Sequence, residues 1–403
     1  MHQYYLARQA IFDGDIKVVG YELLYRAIGA NSTRPPDGDQ ATSQVLLNSL
    51  IELGLARVVG DHRAFINLGR SFVLNHQLLP PPSDQIILEL HEDTTTDEQT
   101  ISAVKEMKKR GYVLALDDFV YDEKWRPLLE LADIVKIDLR MLPRETIEQH
   151  IAILKQYHVL LLAEKVETMD EFDWCKQSGF DYFQGFFLDR PRIISGKRAP
   201  VNRLNCLRLM TRLHDPNCTV DELERVIGQD VTLSYKLLQY INSAAFPTTK
   251  AIESIRHAIV YMGEDEVRRW ASMLALANLD DKPGELLMTS LTRSKMCELL
   301  TENTGIGNRR SAFVIGLFST LDALMDSKLD EILKNLPLTD DIMDALLKHS
   351  GPYGGVLSCT LAYEHSDWDR VNCDGLSRET ISELYIQSIE WAEIAIHQLG
   401  DRR

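Results

Sequence analysis

Polar side chains recur through the first half of the chain, each at or near the end of a short apolar run, and all but one of them offer an oxygen atom that can bind a metal ion. They are Glu22, Asn67, Glu89, Asp117, Asp118, Lys136, Glu164 and Gln184. Oxygen ligands without thiols or imidazoles suit hard cations such as Mg²⁺ and Mn²⁺. The adjacent carboxylates Asp117 and Asp118 could bridge two ions or divide between them, an arrangement suited to phosphodiester hydrolysis.

The elements that must position these residues are short strands alternating with helical stretches. The apolar runs predict strands over Tyr4–Phe12, Val18–Tyr25, Ala64–Leu68, Ile86–Leu90, Tyr112–Leu116, Ile134–Ile137, Val159–Ala163 and Tyr182–Leu188. This alternation predicts a parallel sheet, and about eight such strands predict an α/β barrel of the TIM type or a near relative. Because the carboxyl ends of barrel strands converge on one mouth, we expect the polar residues to meet there.

The joint pattern favours a functional site over unrelated surface residues. A single acid at a strand end is more often a helix cap or part of a surface ion pair, and a single lysine is usually a surface group. Carboxylates gathered in a mouth of low dielectric constant cannot all stay ionised without cations. The pattern therefore predicts a metal site.

The second half of the chain has a helical rhythm. Thr219-x-x-Glu222 predicts a capping box that opens a helix. Apolar stripes at helical spacing predict two further helices, one with Leu233, Leu237, Leu238 and Ile241 and a last one with Ile381, Leu384, Tyr385, Ala392 and Ile396. We predict a barrel domain over residues 1–197 and an all-α domain over residues 198–403.

Composition and charge narrow the class of protein. A length of 403 residues favours two domains over one core. The formal net charge of −16 disfavours a nucleic acid polymer as partner, although bound divalent ions could still admit a small phosphate ligand. No signal peptide or membrane span is visible, so a cytoplasmic location is expected. The six cysteines lack metal-ligand spacing and are expected to be buried free thiols.

Residues 1–195 resemble the EAL family of cyclic di-GMP phosphodiesterases, whose motifs appear here in the family's order. These motifs are Glu22-Leu23-Leu24 with Arg26, Asn67, Glu89-Leu90-His91-Glu92, Asp117-Asp118-Phe119, Lys136, Glu164-Lys165-Val166-Glu167 and Gln184-Gly185-Phe186. The resemblance implies catalytic roles for Lys136, which would orient or deprotonate the attacking water, and for Glu164. It also implies two Mg²⁺ or Mn²⁺ ions per site, held by Glu22, Asn67, Glu89, Asp117, Asp118 and Glu164.

The same resemblance implies further roles around the metal site. Arg26 and Gln184 would bind the substrate, with Arg26 gripping a phosphate as a charged fork. Glu92 and Glu167 would support the site.

Several positions depart from the family's pattern. Leu23 replaces the central Ala of the signature, and His91 takes the place of a Thr. Lys165 replaces a Gly beside Glu164, which could alter the backbone or add a cation near the phosphates. The Gly/Ser-rich loop that follows D-D-F in the family is here Val120-Tyr121-Asp122-Glu123-Lys124-Trp125.

The second region resembles HDOD domains, which are helical relatives of HD phosphohydrolases that lack the metal ligands. The resemblance rests on Asp230-Val-Thr-Leu-Ser-Tyr-Lys-Leu-Leu, Asn242-Ser243-Ala244-Ala245-Phe246, His257-Ala258-Ile259, Met262-Gly263, Ala312-Phe313 and Gly316-Leu317-Phe318. It implies a regulatory module that binds a protein partner. We interpret His214-Asp215 as part of a turn and not as a metal site, since no further ligands surround it.

Together the two resemblances predict a bacterial enzyme that hydrolyses cyclic di-GMP to linear pGpG under control of a helical domain. In the family the loop after D-D-F couples metal binding to dimerisation, so the resemblance also admits a homodimer. A catalytically silent cyclic di-GMP receptor or interaction scaffold is the alternative, for which the altered loop after Asp118 is the evidence. An unrelated metal-dependent sugar or phosphate enzyme on a barrel is a third alternative, which the motif order disfavours.

Overall fold

The computed structural model shows a closed eight-stranded barrel and a separate helical region. It describes residues 4–27, 55–79, 81–91, 96–188, 201–215, 218–229, 231–242, 252, 254–277, 279, 282–334 and 336–400. The strands are β1 Tyr4–Asp13, β2 Val18–Ala27, β3 Arg63–Leu68, β4 Ile86–Leu90, β5 Val113–Leu116, β6 Ile134–Asp138, β7 Leu160–Glu164 and β8 Tyr182–Gln184. The predicted barrel and all eight predicted strands are confirmed, although the last strand ends at Gln184 and not at Leu188.

One strand departs from the parallel order that we predicted. β1 pairs antiparallel with both β2 and β8, whereas the pairs from β2 to β8 are parallel. The reason is the short connection between β1 and β2, because a parallel pair needs a long crossover and an antiparallel pair does not. The Asp13 carboxylate stabilises this turn by accepting hydrogen bonds from the backbone N–H groups of Asp15 and Lys17, at 2.8 and 2.9 Å.

Helices surround the barrel on its outer face. They are α1 Ala56–Val59, α2 Arg70–Leu74, α3 Glu98–Arg110, α4 Arg126–Leu129, α5 Arg144–Leu154 and α6 Met169–Ser178, with 3-10 turns at His76–Leu78 and Glu123–Trp125. The sequence sets the ends of α3, since Asp97 caps its first turn by accepting from Thr100 N–H and Gly111 ends it with φ of 96°. The larger apolar core lies between strands and helices, and a second apolar cluster fills the barrel interior.

The helical region runs from α7 to α18. Its helices are α7 Val201–Leu213, α8 Val220–Gly228, α9 Val231–Ile241, α10 Ile255–Met262, α11 Glu264–Ala277, α12 Gly284–Thr304, α13 Arg309–Phe318, α14 Leu321–Met325, α15 Leu329–Leu333, α16 Asp340–Lys348, α17 Gly354–Glu364 and α18 Arg378–Gly400. The predicted capping box is confirmed, with Thr219 and Glu222 bonding each other's backbone N–H at the start of α8. The predicted stripes lie on α9 and α18.

The chain divides into two compact units that do not follow the order of the sequence at its C-terminal end. One unit comprises Met1–Arg190 together with Ala362–Arg370 and Ser377–Ile386, and the other comprises Pro191–Leu361, Val371–Leu376 and Gln387–Arg403. Within the barrel unit, the buried Tyr363 hydroxyl donates to the Leu6 carbonyl of β1 at 3.0 Å. The predicted boundary at residue 197 lies outside the described residues, so it stays a prediction.

The cysteines and the helix lengths bear on two further expectations. All six cysteines are free thiols, and all except the partly exposed Cys218 are buried. In the part of the chain that the structure describes, no helix combines the length and the hydropathy needed to cross a bilayer.

Candidate metal centre at the barrel mouth

The polar residues meet at the mouth because strand side chains alternate between the two faces of a sheet. The apolar cluster inside the barrel consists of Ile11, Phe65, Ile87, Ala115, Ile134 and Leu162. Two residues further along five of these strands, and therefore on the same inward face, lie Asn67, Glu89, Asp117, Lys136 and Glu164. The barrel thus carries an apolar floor with a polar layer above it.

Lys136 lies at the centre of this layer and is completely buried. Its Nζ lies 2.7 Å from Asp117 Oδ1, 2.8 Å from Glu89 Oε1, 3.0 Å from Glu164 Oε1 and 3.5 Å from Glu22 Oε2. One ammonium group is therefore shared among four carboxylates. The residues around it have a surplus of negative charge in a largely buried site.

Two carboxamides orient Glu22, which lies in β2. Gln184 Nε2 donates to Glu22 Oε2 at 2.6 Å, and Asn67 Nδ2 donates to Glu22 Oε1 at 3.0 Å. Gln184 also donates to Gln9 Oε1 at 3.0 Å. Because both amide nitrogens point at Glu22, the amide oxygens of Asn67 and Gln184 are directed elsewhere.

The burial of this cluster shifts the proton affinity of its members. Burial raises the pKa of Glu164 to about 8 against the opposing effect of Lys136. Burial also raises the pKa of Glu89 well above its usual range, although Lys136 lowers it. For Lys136, burial disfavours the charged form, but Glu164, Glu22 and Glu89 outweigh it and hold the pKa well above that of a free lysine. Lys136 therefore keeps its proton, but its single positive charge does not balance the four carboxylates around it.

Several buried oxygen atoms of the layer lack a hydrogen-bond donor in the described part of the chain and could bind a cation. Among the described residues, the buried atoms Asn67 Oδ1, Glu89 Oε2, Glu164 Oε2 and Gln184 Oε1 have no hydrogen-bond donor. Buried polar atoms are normally paired, so a cluster of orphaned acceptors indicates a cation or ordered water. An all-oxygen set of carboxylates and amides fits Mg²⁺ or Mn²⁺.

Two groups of carboxylates have the spacing of metal ligands. The oxygens of Glu22, Glu89 and Asp117 lie within 4.8 Å of one another, and so do those of Asp117, Asp118 and Glu164. Asp117 belongs to both groups, as a ligand that bridges two ions would. The structure thus brings together the six predicted metal ligands and Lys136, while their individual roles stay predictions.

Asp118 lies at the point where the chain leaves β5. Its φ of 43° is in the left-handed region, which an L-residue rarely adopts outside functional or turn positions. The next residue is anchored, because Phe119 N–H donates to the Lys136 carbonyl at 3.0 Å. The backbone that carries Asp118 is therefore tied to the strand that carries Lys136.

The loop after Asp118 packs through aromatic side chains. The Phe119 and Trp125 rings meet edge to face at 5.9 Å, and Trp125 is mostly buried. The Asp122 side chain accepts from Lys124 N–H at 3.1 Å, and Tyr121 Oη donates to Glu123 at 2.8 Å. A loop without the family's glycines thus still forms a defined turn beside the mouth.

Three predicted site residues remain, and for two of them the side chain lies outside the described residues. Arg26 belongs to β2, but its side chain lies outside the described residues, as does all of Glu92. Glu167 instead faces Arg140, whose Nε lies 3.6 Å from Glu167 Oε1. Their predicted binding and supporting roles stay predictions.

Our sequence reasoning missed Asp138. It ends β6 two residues after Lys136, so strand alternation could have placed it on the same inward face. The buried Asp138 carboxylate binds Lys165 Nζ at 2.5 Å and accepts from Arg140 N–H at 2.7 Å. The glycine of the Gln184-Gly185-Phe186 motif also has a structural reason, since a Cβ at Gly185 would lie 2.1 Å from the Val166 carbonyl oxygen.

Comparisons with known proteins agree with this arrangement. A family profile described as the EAL domain matches residues 17–191, and one described as the HDOD domain matches residues 202–335. Cyclic di-GMP phosphodiesterase CdgJ of Vibrio cholerae is 33% identical over 98% of this chain and 93% of its own length. The uncharacterized protein YuxH of Bacillus subtilis is 34% identical over 99% of each chain. A solved structure, the PaMucR phosphodiesterase in complex with c-di-GMP, aligns with 50% of this chain and 99% of its own at 21% identity and a TM-score of 0.39.

Proposed function

This chain belongs to the family of proteins that join an EAL domain to a following HDOD domain, and on that premise we propose that it hydrolyses cyclic di-GMP to linear pGpG. The observation that carries the proposal is the buried layer in which four carboxylates share Lys136 while neighbouring oxygens lack any donor among the described residues. The printed name of the relative CdgJ supports the substrate. A divalent metal pair supplies Lewis acidity and lowers the pKa of water when bound.

The carboxylates of the mouth form two ligand groups, one for each ion. Glu22, Glu89 and Asp117 would hold one ion and Asp117, Asp118 and Glu164 the other, and Asn67 would add its free amide oxygen. Each of these groups lies on a barrel strand or directly after one, so the site is built before substrate arrives. Burial of the layer excludes bulk water, which strengthens every charge interaction inside it.

Lys136 has the geometry to hold a proton close to the reacting centre. Its ammonium group contacts oxygens from both ligand groups, at 2.7 to 3.0 Å for Asp117, Glu89 and Glu164. A water bound between those groups would lie within its reach and be oriented by it. Lys136→Ala is therefore expected to lower kcat more than it raises KM, because the role of Lys136 is on the water and not on the substrate.

The deciding experiment incubates the full chain with cyclic di-GMP and either Mg²⁺ or Mn²⁺ and follows pGpG by chromatography. We expect hydrolysis that requires the metal, and inhibition by Ca²⁺, whose larger radius and looser coordination would misplace the water. If the protein binds cyclic di-GMP but yields no pGpG with either metal, the receptor alternative replaces the enzyme. The loop Val120–Trp125 would then be the first segment to exchange for a Gly/Ser-rich sequence.

We further propose that the helical unit regulates this activity through a protein contact. The support is its family match and the exposure of large apolar side chains, namely Tyr235 on α9 and Val260 and Tyr261 on α10. Sedimentation of the full chain, as wild type and as Val260→Glu, tests whether the exposed face of α10 joins two copies. Loss of a wild-type dimer in the variant would support a homodimer, and an unchanged dimer would place the contact elsewhere.

A further inference from the structure

The segment that follows β7 holds a lysine in a backbone conformation that favours glycine. Lys165 has φ of 55°, in the left-handed region. An L-residue with a Cβ is destabilised there, whereas glycine is not. The residue directly before it, Glu164, is a proposed metal ligand, so the conformation of Lys165 decides how the end of β7 presents that carboxylate.

The Lys165 side chain is fixed by a buried partner. Its Nζ lies 2.5 Å from Asp138 Oδ2; the Asp138 side chain is 2% exposed, whereas that of Lys165 is 61% exposed. Asp138 is the register partner of Glu164 on the neighbouring strand. Two carboxylates on adjacent strands repel each other, and the ammonium group of Lys165 neutralises one of them.

The backbone around Lys165 is held from both sides. Arg140 Nη2 donates to the Lys165 carbonyl at 3.2 Å and pairs with Glu171 at 2.6 Å. On the other side, Leu139 N–H donates to the Glu164 carbonyl at 3.2 Å, and Val166 N–H donates to the Gln184 carbonyl at 3.0 Å. These bonds join β6, β7 and β8 at the rim of the barrel. A change in the backbone at Lys165 would therefore alter the position of the Glu164 carboxylate.

We propose that Lys165 is a positioning residue that, through its ion pair with Asp138, holds the turn after β7 and keeps the Glu164 carboxylate directed into the metal site. The inference rests on the proposed function and deepens it, since it concerns the same site. Groups that orient metal ligands typically change metal affinity or activity by about 10- to 100-fold when they are removed.

The test compares three full-length variants with the wild type. Lys165→Met removes the charge and keeps the length, Lys165→Arg keeps the charge, and Lys105→Met is the matched control on the exposed face of α3. Calorimetric titration of the metal-free protein with Mn²⁺ gives the affinity, and the pGpG assay gives kcat and KM. For Lys165→Met we expect about tenfold weaker Mn²⁺ binding and about tenfold lower kcat, with KM changed less than about twofold.

Lys165→Arg should recover most of both quantities, and Lys105→Met should equal the wild type. Lys165→Gly is a fourth variant, which keeps the test valid if Lys165→Met folds poorly, because glycine accepts φ of 55° without strain. It should lose Mn²⁺ affinity to the same extent while unfolding at the wild-type temperature or above. Wild-type Mn²⁺ affinity in Lys165→Gly would overturn the proposal.

The Asp138→Asn background shows whether Lys165 acts through Asp138. In that background, the further change Lys165→Met should alter Mn²⁺ affinity and kcat by less than about twofold, since the pair is already broken. A tenfold rise in KM in both backgrounds, with Mn²⁺ affinity unchanged, would instead make Lys165 a substrate contact and overturn the proposal. If the wild type yields no pGpG, the proposed function fails, while the Mn²⁺ titrations still decide the role of Lys165.

Discussion

Two buried glutamates, one in each unit, have opposite surroundings. Glu89 in the barrel mouth and Glu298 in α12 are both completely buried. Glu298 is surrounded by cations, with Arg269 at 2.6 Å, Lys295 at 2.9 Å and Arg309 at 3.6 Å. Glu89 shares the single ammonium group of Lys136 with three other carboxylates.

The difference separates a charge that the fold itself neutralises from one that would need a bound ion. Removing a buried carboxylate that has its own cations leaves those cations unpaired, and this destabilises the fold. Carboxylates that outnumber their cations store repulsion that a bound ion would relieve. Burial of a charged group therefore does not by itself indicate a ligand site. An excess of carboxylates over cations, together with unpaired oxygen atoms, does indicate one.

The largest effect is expected from Asp117→Asn, which tests the functional side of this comparison. The change keeps the volume and removes the charge common to both ligand groups, so pGpG formation should fall by at least about 10³-fold, equivalent to about 4 kcal/mol. The free energy of unfolding of the metal-free protein should stay the same or rise, because one repelling carboxylate is gone. A variant that loses stability and activity together would show that Asp117 supports the fold.

Glu298→Gln tests the other glutamate of the comparison. It should lower the stability of the protein and leave its activity unchanged. The amide cannot neutralise Arg269 and Lys295, so we expect the free energy of unfolding to fall by about 3 kcal/mol. Urea denaturation of the full chain, followed by circular dichroism, measures this loss. Unchanged stability would mean that the cations around Glu298 relax into solvent and that the contrast with Glu89 is smaller than the geometry indicates.

Added Mn²⁺ should stabilise the protein by binding at the barrel mouth of the folded state. At about 100 times its dissociation constant, a ligand that binds only the folded state contributes about 2.7 kcal/mol. We expect the thermal midpoint to rise with Mn²⁺ in the wild type and in Glu298→Gln, but not in Asp117→Asn. A rise that persists in Asp117→Asn would place the ion outside this carboxylate layer.

The smallest effect is expected from a decrease in pH, and it concerns His214, a partly buried histidine of the helical unit. His214 Nε2 lies 3.0 Å from Ser272 Oγ, and its ring meets Phe318 edge to face. Burial, followed by the charges of Arg268 and Arg310, lowers the pKa of His214 from 6.5 to about 4. Between these values the unfolded chain binds a proton that the folded chain does not, so stability falls as the pH decreases through this window.

Urea denaturation at pH 7 and pH 5 measures the effect. Because His214 retains some solvent exposure, we expect its contribution to the loss at pH 5 to be about 1 kcal/mol. His214→Gln should lose that much less than the wild type between the two pH values. An equal loss in both proteins would assign the acid sensitivity to other groups.

The sequence by itself determined the barrel, the helical region and the chemistry of the mouth. Strand and helix periodicities are local properties, and a polar residue two places beyond an inward apolar one must share its face, as Ile87 and Glu89 do. That is why a polar layer at the barrel mouth could be predicted before the strands were known to close.

Only the tertiary structure decided which charges meet. Barrel closure brings four carboxylates from different strands onto Lys136 and pairs Lys165 with Asp138. The pairing of β1 with β8 joins strands from opposite ends of the barrel sequence, and the Tyr363 hydroxyl bonds the Leu6 carbonyl across 357 residues of sequence. Contacts between residues so distant in sequence depend on the closed fold, and no local pattern encodes them.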